Sequence, residues 1–303
     1  MTASPRRRQT VATFLLVALT AVWGSTFFLI RDLVQTVPPA DFLAVRFTIA
    51  AVLMVVIFWR PLRGLRRRDV VAGIGLGGLY GAAQLLQTAG LAHTDASVSG
   101  FITGTYVVLT PVFTALLLRE QVPATTWYAV ALATAGLALL SLNGVSIGTG
   151  ETLTLLAAAL YAFHIIGLGR YSVPSRATGM SVVQMLVIAL FAVVAAVPDG
   201  ITWPSGAGQW WSVLYMATAA GVLALWSQTW AQAHMSATRA AIVMTLEPVF
   251  AAGFAVALGG ESLTGRMLVG GVLVLAAMYV VELAGRRPDR PAADLSEARH
   301  HEV

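Results

Sequence analysis

The chain has 303 residues, of which 57% are hydrophobic and 11% charged, with no cysteine and a formal net charge of +5; its mean hydropathy is +0.77. Soluble domains carry about a quarter of their residues charged, so composition excludes a water-soluble domain of this size, and the missing cysteines exclude disulfides and thiolate metal sites. All 19 basic residues are arginine, but most sit in short segments between apolar runs rather than on a basic face interleaved with aromatics, which argues against a nucleic-acid partner and for membrane lipid.

Predominantly apolar stretches of roughly 18 to 23 residues recur along the chain, the length that a hydrocarbon core about 30 Å thick asks of a helix rising 1.5 Å per residue. The chain therefore reads as an all-α polytopic membrane protein. Behind an N-terminal segment, 1–10, that carries Arg6-Arg7-Arg8, the first span covers 11–31; it is too long for a signal peptide and has no small-residue cleavage site before Trp23. Further spans are expected at 41–59, 70–91, 97–118, 124–142, 152–169, 179–198, 210–231, 238–259 and 264–285, ten in all. They are joined by short turns such as Val37-Pro38-Pro39, Asn143-Gly144 and Pro198-Asp199-Gly200. Residues 286–303, with Pro288 and Pro291, read as a disordered tail. With the N-terminus inside, 16 of the 19 arginines fall in cytoplasmic segments or span ends, which predicts both termini in the cytoplasm.

The two halves resemble each other. An offset of 141 residues aligns Gln87-Thr88 with Gln228-Thr229, Ala92-His93 with Ala233-His234, and Glu120 with Glu261, giving eleven identities in 54 positions from 87 to 140. An offset of 137 instead aligns Thr110-Pro111 with Glu247-Pro248. Five spans per half is an odd number, so repeats over 11–142 and 152–285 would enter the membrane in opposite senses, a recurrent way to build a transporter with its site near the midplane.

Glu247-Pro248 stands inside an apolar run, and a carboxylate at bilayer depth costs about 2.5 kcal/mol or more. Counting the helical rise places Glu247 about 14 Å into its span, with Tyr106, its mate at the 141 offset, equally deep, and His164 and Trp23-Gly24-Ser25 at about 18 Å. Glu247 reads either as a group that a substrate or proton discharges or as a neutral acid that fixes packing; Pro248, like Pro111, is a candidate hinge that frees a backbone carbonyl one turn earlier. Arg46 binds a substrate carboxylate, pairs with a nearby acid or snorkels to the surface, and Gln184 takes the corresponding place in the seventh span. His164 is either a proton relay or a packed core residue. Gln84, Gln87 and Gln228 line a polar path or glue helices together. Trp23 and Trp226 are candidates for a cavity wall, while Trp203, Trp210 and Trp211 fit an outer aromatic belt. Gly73-Ile-Gly75-Leu-Gly77-Gly78 satisfies G-x-G-x-x-G but follows no strand; Gly73, Gly77 and Gly81 instead form a flat stripe for helix contact. No residue set has metal-ligand spacing, and no cofactor is expected.

Trp23-Gly24-Ser25, Arg46-Phe47, the run from Gly100-Phe-Ile-Thr-Gly104 to Thr110-Pro111, and Glu247-Pro248, in that order, resemble the drug/metabolite transporter superfamily, specifically its EamA-type ten-helix proteins, over about residues 11–285. That resemblance implies two inverted five-helix repeats around a central cavity, and export of amino acids, related metabolites or toxic compounds across the bacterial inner membrane. The family's motif positions carry over as Trp23, Gly24, Arg46, Glu247 and Pro248; Ser25, Gln84, Tyr106, His164, Gln184 and Trp226 rest on depth and position alone. The expectation is a secondary transporter of a small-molecule substrate, coupled to protons through Glu247, and not an enzyme; the rivals are a lipid-acting membrane enzyme and a scaffold without flux.

Overall fold

The computed structural model describes residues 5–119, 121–141 and 148–284. The expected tail at 286–303, the Asn143-Gly144 turn and Glu120 lie outside the described residues. Among those described there are helices and no strands, as a chain immersed in hydrocarbon requires when no water is at hand to satisfy its backbone groups. Eight helical stretches are long and apolar enough to cross a membrane: Arg7–Leu33, Pro39–Leu62, Arg67–Leu91, Ala96–Leu118, Thr149–Tyr171, Ala177–Ala196, Gly206–Gln232 and Ala237–Ala257. Each lies within a few residues of an expected span. Two further helices, Ala124–Ser141 and Gly265–Ala284, pack lengthwise on each other.

Several of the long stretches are interrupted. In chain order the helices are α1 (Pro5–Gly24), α2 (Thr26–Leu33), α3 (Pro39–Leu62), α4 (Arg67–Leu91), α5 (Ala96–Thr103), α6 (Tyr106–Leu118), α7 (Ala124–Ser141), α8 (Thr149–Tyr171), α9 (Ala177–Ala196), α10 (Gly206–Ala217), α11 (Ala224–Gln232), α12 (Ala237–Met244), α13 (Leu246–Ala257) and α14 (Gly265–Ala284). The first span breaks at Ser25, the fourth at Gly104 and Thr105, and the ninth at Thr245, while a π-helical segment, Thr218–Leu223, joins α10 to α11. Gly104 and Thr245 stand at the 141-residue offset. Pro248 sits in the first turn of α13, one turn past its break, where its ring crowds the carbonyl of Met244. Pro111, by contrast, lies within the unbroken α6, so the discontinuity of that span falls at a glycine rather than at the proline.

Local sequence explains the helix ends. Pro38 and Pro39 open α3, where a missing N–H costs nothing. The Asp69 carboxylate accepts the Arg66 N–H at 2.9 Å ahead of α4, and the Glu151 carboxylate accepts the Gly148 N–H at 2.9 Å ahead of α8. Outward-facing apolar side chains such as Phe14, Val56, Leu190 and Val272 are exposed, which is stable only against lipid. Trp203 and Trp211 are exposed and Trp210 is half-buried against Trp203.

Contacts between the part before residue 142 and the part after 148 are reciprocal. α1 packs on α11 and α13, and α8 returns this by packing on α4 and α6. α4 meets α9 as α10 meets α3, while α3 with α9, and α7 with α14, pair directly. The closest approach of α4 to α9 runs along the glycine stripe: a Cβ on Gly77 would lie 2.8 Å from the Gln184 carbonyl oxygen and 2.8 Å from Val187 Cβ, whereas one on Gly75 would meet nothing within 4 Å. Gly77→Val is therefore expected to destabilise the protein in detergent by about 1–3 kcal/mol by overpacking, and Gly75→Val by no more than about 0.5 kcal/mol; thermal unfolding of the two variants side by side checks this.

Candidate functional site

Three helix faces converge on one cavity. Trp23, Thr26, Phe27 and Ile30 follow one another at i, i+3, i+4 and i+7 along the first span, Tyr80, Gln84 and Gln87 at i, i+4 and i+7 along α4, and Tyr161, His164 and Ile165 along α8, so each set shares a side of its helix. Arg46 of α3, Thr103, Tyr106, Gln228, Met244 and Glu247 complete the lining. The space open to the centres of water-sized spheres is about 40 Å³, enough for a few waters and less than a metabolite needs. Four pairs of lining residues stand at the 141-residue offset: Trp23 with His164, Gln87 with Gln228, Thr103 with Met244, and Tyr106 with Glu247. The last pair is in direct contact, the Tyr106 hydroxyl lying 3.1 Å from Glu247 Oε2. The cavity therefore lies where corresponding parts of the two halves meet.

A chain of polar contacts crosses the cavity wall. Arg46 Nη1 donates to Gln84 Oε1 at 3.4 Å, Gln84 Nε2 donates to the Tyr161 hydroxyl, that hydroxyl donates to Gln87 Oε1 at 2.9 Å, and Gln87 Nε2 donates to Thr103 Oγ1 at 2.8 Å. Arg46 also reaches the carbonyl of Met216 at 3.3 Å, and its guanidinium carbon lies 4.7 Å from the centre of the Phe47 ring. At 2% exposure it does not snorkel. Trp23 Nε1 donates to the Ala220 carbonyl at 3.0 Å, inside the π-helical segment, where the shifted bonding pattern leaves carbonyls for outside partners.

Two charges face this cavity without opposite charges. Among the described residues no carboxylate lies within 4.0 Å of Arg46 and no basic group within 4.0 Å of Glu247, which is 6% exposed. The ion pairs lie elsewhere, and two of them join the two halves: Arg31 of α2, which binds Asp95 at 2.8 Å, also reaches Glu261 at 3.8 Å, and Arg176 binds the buried Asp69 at 2.7 Å. No group of three or more His, Asp or Glu able to hold a metal occurs among the described residues.

The remaining candidates lie around the cavity rather than in it. Gln184 is fully buried and bonds His164 Nε2 at 2.8 Å, so it holds that ring from behind. Gly24 lets α1 approach α13: a Cβ there would lie 2.6 Å from Phe250 Cβ and 2.8 Å from the Ala251 nitrogen. Ser25 bonds the Tyr215 hydroxyl at 2.7 Å. Trp226 stacks on Phe58 and donates to Thr178 at 3.1 Å; Gln228, two residues on and so about 200° around the helix, takes the cavity-facing position instead. Thr110, the mate of Glu247 at the 137 offset, is buried off the cavity with its hydroxyl unpartnered. Tyr80 and Tyr161 were not anticipated, although their spacing to Gln84 and His164 put them on the same faces.

The EamA-like transporter family is matched twice, over residues 10–142 and 148–283. The chain is 32% identical over 269 residues to an uncharacterized transporter of Archaeoglobus fulgidus, covering 88% of this chain and 84% of that one. It is 28% identical over 278 residues to the uncharacterized inner membrane transporter YedA of Escherichia coli, covering 88% and 89%. To a probable amino-acid metabolite efflux pump of Salmonella typhimurium it is 27% identical over 289 residues, covering 88% and 93%. One protein of known crystal structure superposes with a TM-score of 0.71 at 20% identity over 93% of this chain and 99% of that one, a likeness of fold. With both halves matched and the cavity at their junction, the chain belongs to the EamA-like transporter family.

Proposed function

We propose that this protein is a secondary transporter that moves a small zwitterionic metabolite, of the amino-acid kind, across the inner membrane by alternating access. One observation carries the reading: Arg46 and Glu247 line the same cavity and, among the described residues, neither has a counter-charge within 4.0 Å. A buried charge left alone is strongly unfavourable. A ligand with a carboxylate for Arg46 and an ammonium group for Glu247 relieves both at once, and Trp23, Phe27, Ile30, Ile165 and Met244 offer its side chain an apolar wall. In the absence of ligand a proton neutralises Glu247, which couples transport to protons. Export is favoured by the name of the Salmonella relative, and the inner membrane by that of YedA.

In this reading α7 and α14 complete ten spans, the two matched segments are five-helix repeats of opposite orientation, and both termini face the cytoplasm, as the arginine distribution favours. The cavity is too small for the substrate as it stands, and ion pairs bridge the halves on either side of it, so the conformation is the closed one between two open states. Rocking one half against the other widens the cavity toward one side at a time.

Reconstituted vesicles preloaded with an aliphatic or aromatic amino acid are expected to show saturable counterflow, and its methyl ester and N-acetyl derivative, each lacking one charge, to compete about ten to a hundred times more weakly, the worth of one lost charge-assisted bond. Equal competition by all three would reject the zwitterion. Arg46→Gln is expected to abolish counterflow; Glu247→Gln is expected to lose the stimulation that an imposed pH gradient gives the unmodified protein, and retention of that stimulation would remove Glu247 from the coupling.

A further inference from the structure

Pro248 has no N–H to offer the carbonyl four residues before it, that of Met244. The Tyr106 hydroxyl takes that oxygen at 2.7 Å and at the same time lies 3.1 Å from Glu247 Oε2. A phenol has a single hydrogen, and a backbone carbonyl can only accept. The two contacts can therefore both be full hydrogen bonds only when the carboxyl carries a proton and donates it to the phenol oxygen, in the order Glu247 to Tyr106 to the Met244 carbonyl. When the carboxyl is ionised, it competes for the phenol hydrogen, and a charge-assisted bond is the stronger of the two. The Met244 carbonyl then loses its partner at the break between α12 and α13.

From this we infer that Tyr106 is a positioning residue that ties the protonation of Glu247 to the geometry of the break at Thr245. The inference rests on the reading of Glu247 as the proton-coupling group. Protonated, the carboxyl, the phenol and the orphaned carbonyl form one chain that holds α13 against α12 and keeps the cavity closed; ionised, the carboxylate withdraws the hydrogen and releases the break. The side chain is well placed for this, since Tyr106 is buried, belongs to the first half while its two partners belong to the second, and is the mate of Glu247 at the internal offset. The other titratable or charged groups lining the cavity are Arg46, Tyr80, Tyr161 and His164; Arg31 and Glu261 are held in the ion cluster beyond α2 and α13. His164 is ionisable as well, so a Glu247 variant must serve as the reference.

Because the chain has no cysteine, Ile30→Cys provides a single reporter in the cavity lining. Its rate of alkylation, divided by that of the same protein unfolded in SDS, is measured from acid to alkaline pH in the full-length purified protein. The reporter protein is expected to label faster as pH rises. Adding Glu247→Gln, which mimics the protonated carboxyl, is expected to give slow labelling at every pH. Adding Tyr106→Phe, or Pro248→Ala, which restores an N–H for the Met244 carbonyl, is expected to abolish the pH dependence. Should either of these two keep the full response, Tyr106 is not the link, while Glu247 retains its role. A response that persists with Glu247→Gln, or none in the reporter protein itself, would overturn both readings. Gel filtration establishes that each variant is folded, and Pro248→Ala decides the matter if Tyr106→Phe is not.

Discussion

A guanidinium and a carboxyl line one cavity without pairing, and much of the surrounding structure bears on that fact. In hydrocarbon an ion pair between Arg46 and Glu247 would be the easy way to lower the energy of both. The protein instead supports each separately. Arg46 rests on the Met216 carbonyl, the Gln84 amide and the face of Phe47, and Glu247 on the Tyr106 hydroxyl. Neutral partners spread a charge without cancelling it, so neither group meets an opposite charge within 4.0 Å among the described residues.

Close approach of backbones makes this possible. Gly24 brings α1 against α13 beside Glu247, and Gly77 brings α4 against the turn of α9 that holds Gln184. Helices this close leave little room for side chains, and interruptions in the helices supply some of the hydrogen-bond partners of the polar groups there. The π-helical segment supplies a carbonyl to Trp23, the end of α10 just before it supplies one to Arg46, and the break before Pro248 supplies one to Tyr106. The irregular backbone therefore sits where it lines a cavity, which is where a membrane protein can tolerate it.

Reciprocity between the halves gives the site its position, and departures from it give the site its character. Tyr106 corresponds to Glu247 and Trp23 to His164, so an uncharged aromatic on one side answers a titratable group on the other. At the 141 offset Arg46 falls on Val187, and Gln184, which takes the corresponding place in the seventh span, is uncharged, so no charge in the second half answers the guanidinium. Two matched segments thus line one chamber, to which one contributes an arginine and the other a glutamic acid.

Apolar runs of membrane length, arginine-rich turns, the internal offset and the isolated Glu247-Pro248 were legible along the sequence, because the cost of placing charge in hydrocarbon and the rise of a helix are local rules. So was the glycine stripe on α4, whose spacing alone distinguishes it from a phosphate loop. Which residues face one another was not. Depth counting put Tyr106, His164 and Trp23 near the level of Glu247, and position made Gln184 and Trp226 candidates, but depth is only one coordinate; the rotation of each helix, set by how the bundle packs, turned Tyr106 inward, placed Gln184 behind His164 and sent Trp226 toward Phe58. The choice between the 141 and 137 offsets likewise waited for the contact between Tyr106 and Glu247, since two alignments differing by about one helical turn present nearly the same face. Sequence by itself determined that an acid lies deep in an apolar span; tertiary packing alone decided that an arginine shares its cavity and that no opposite charge reaches either.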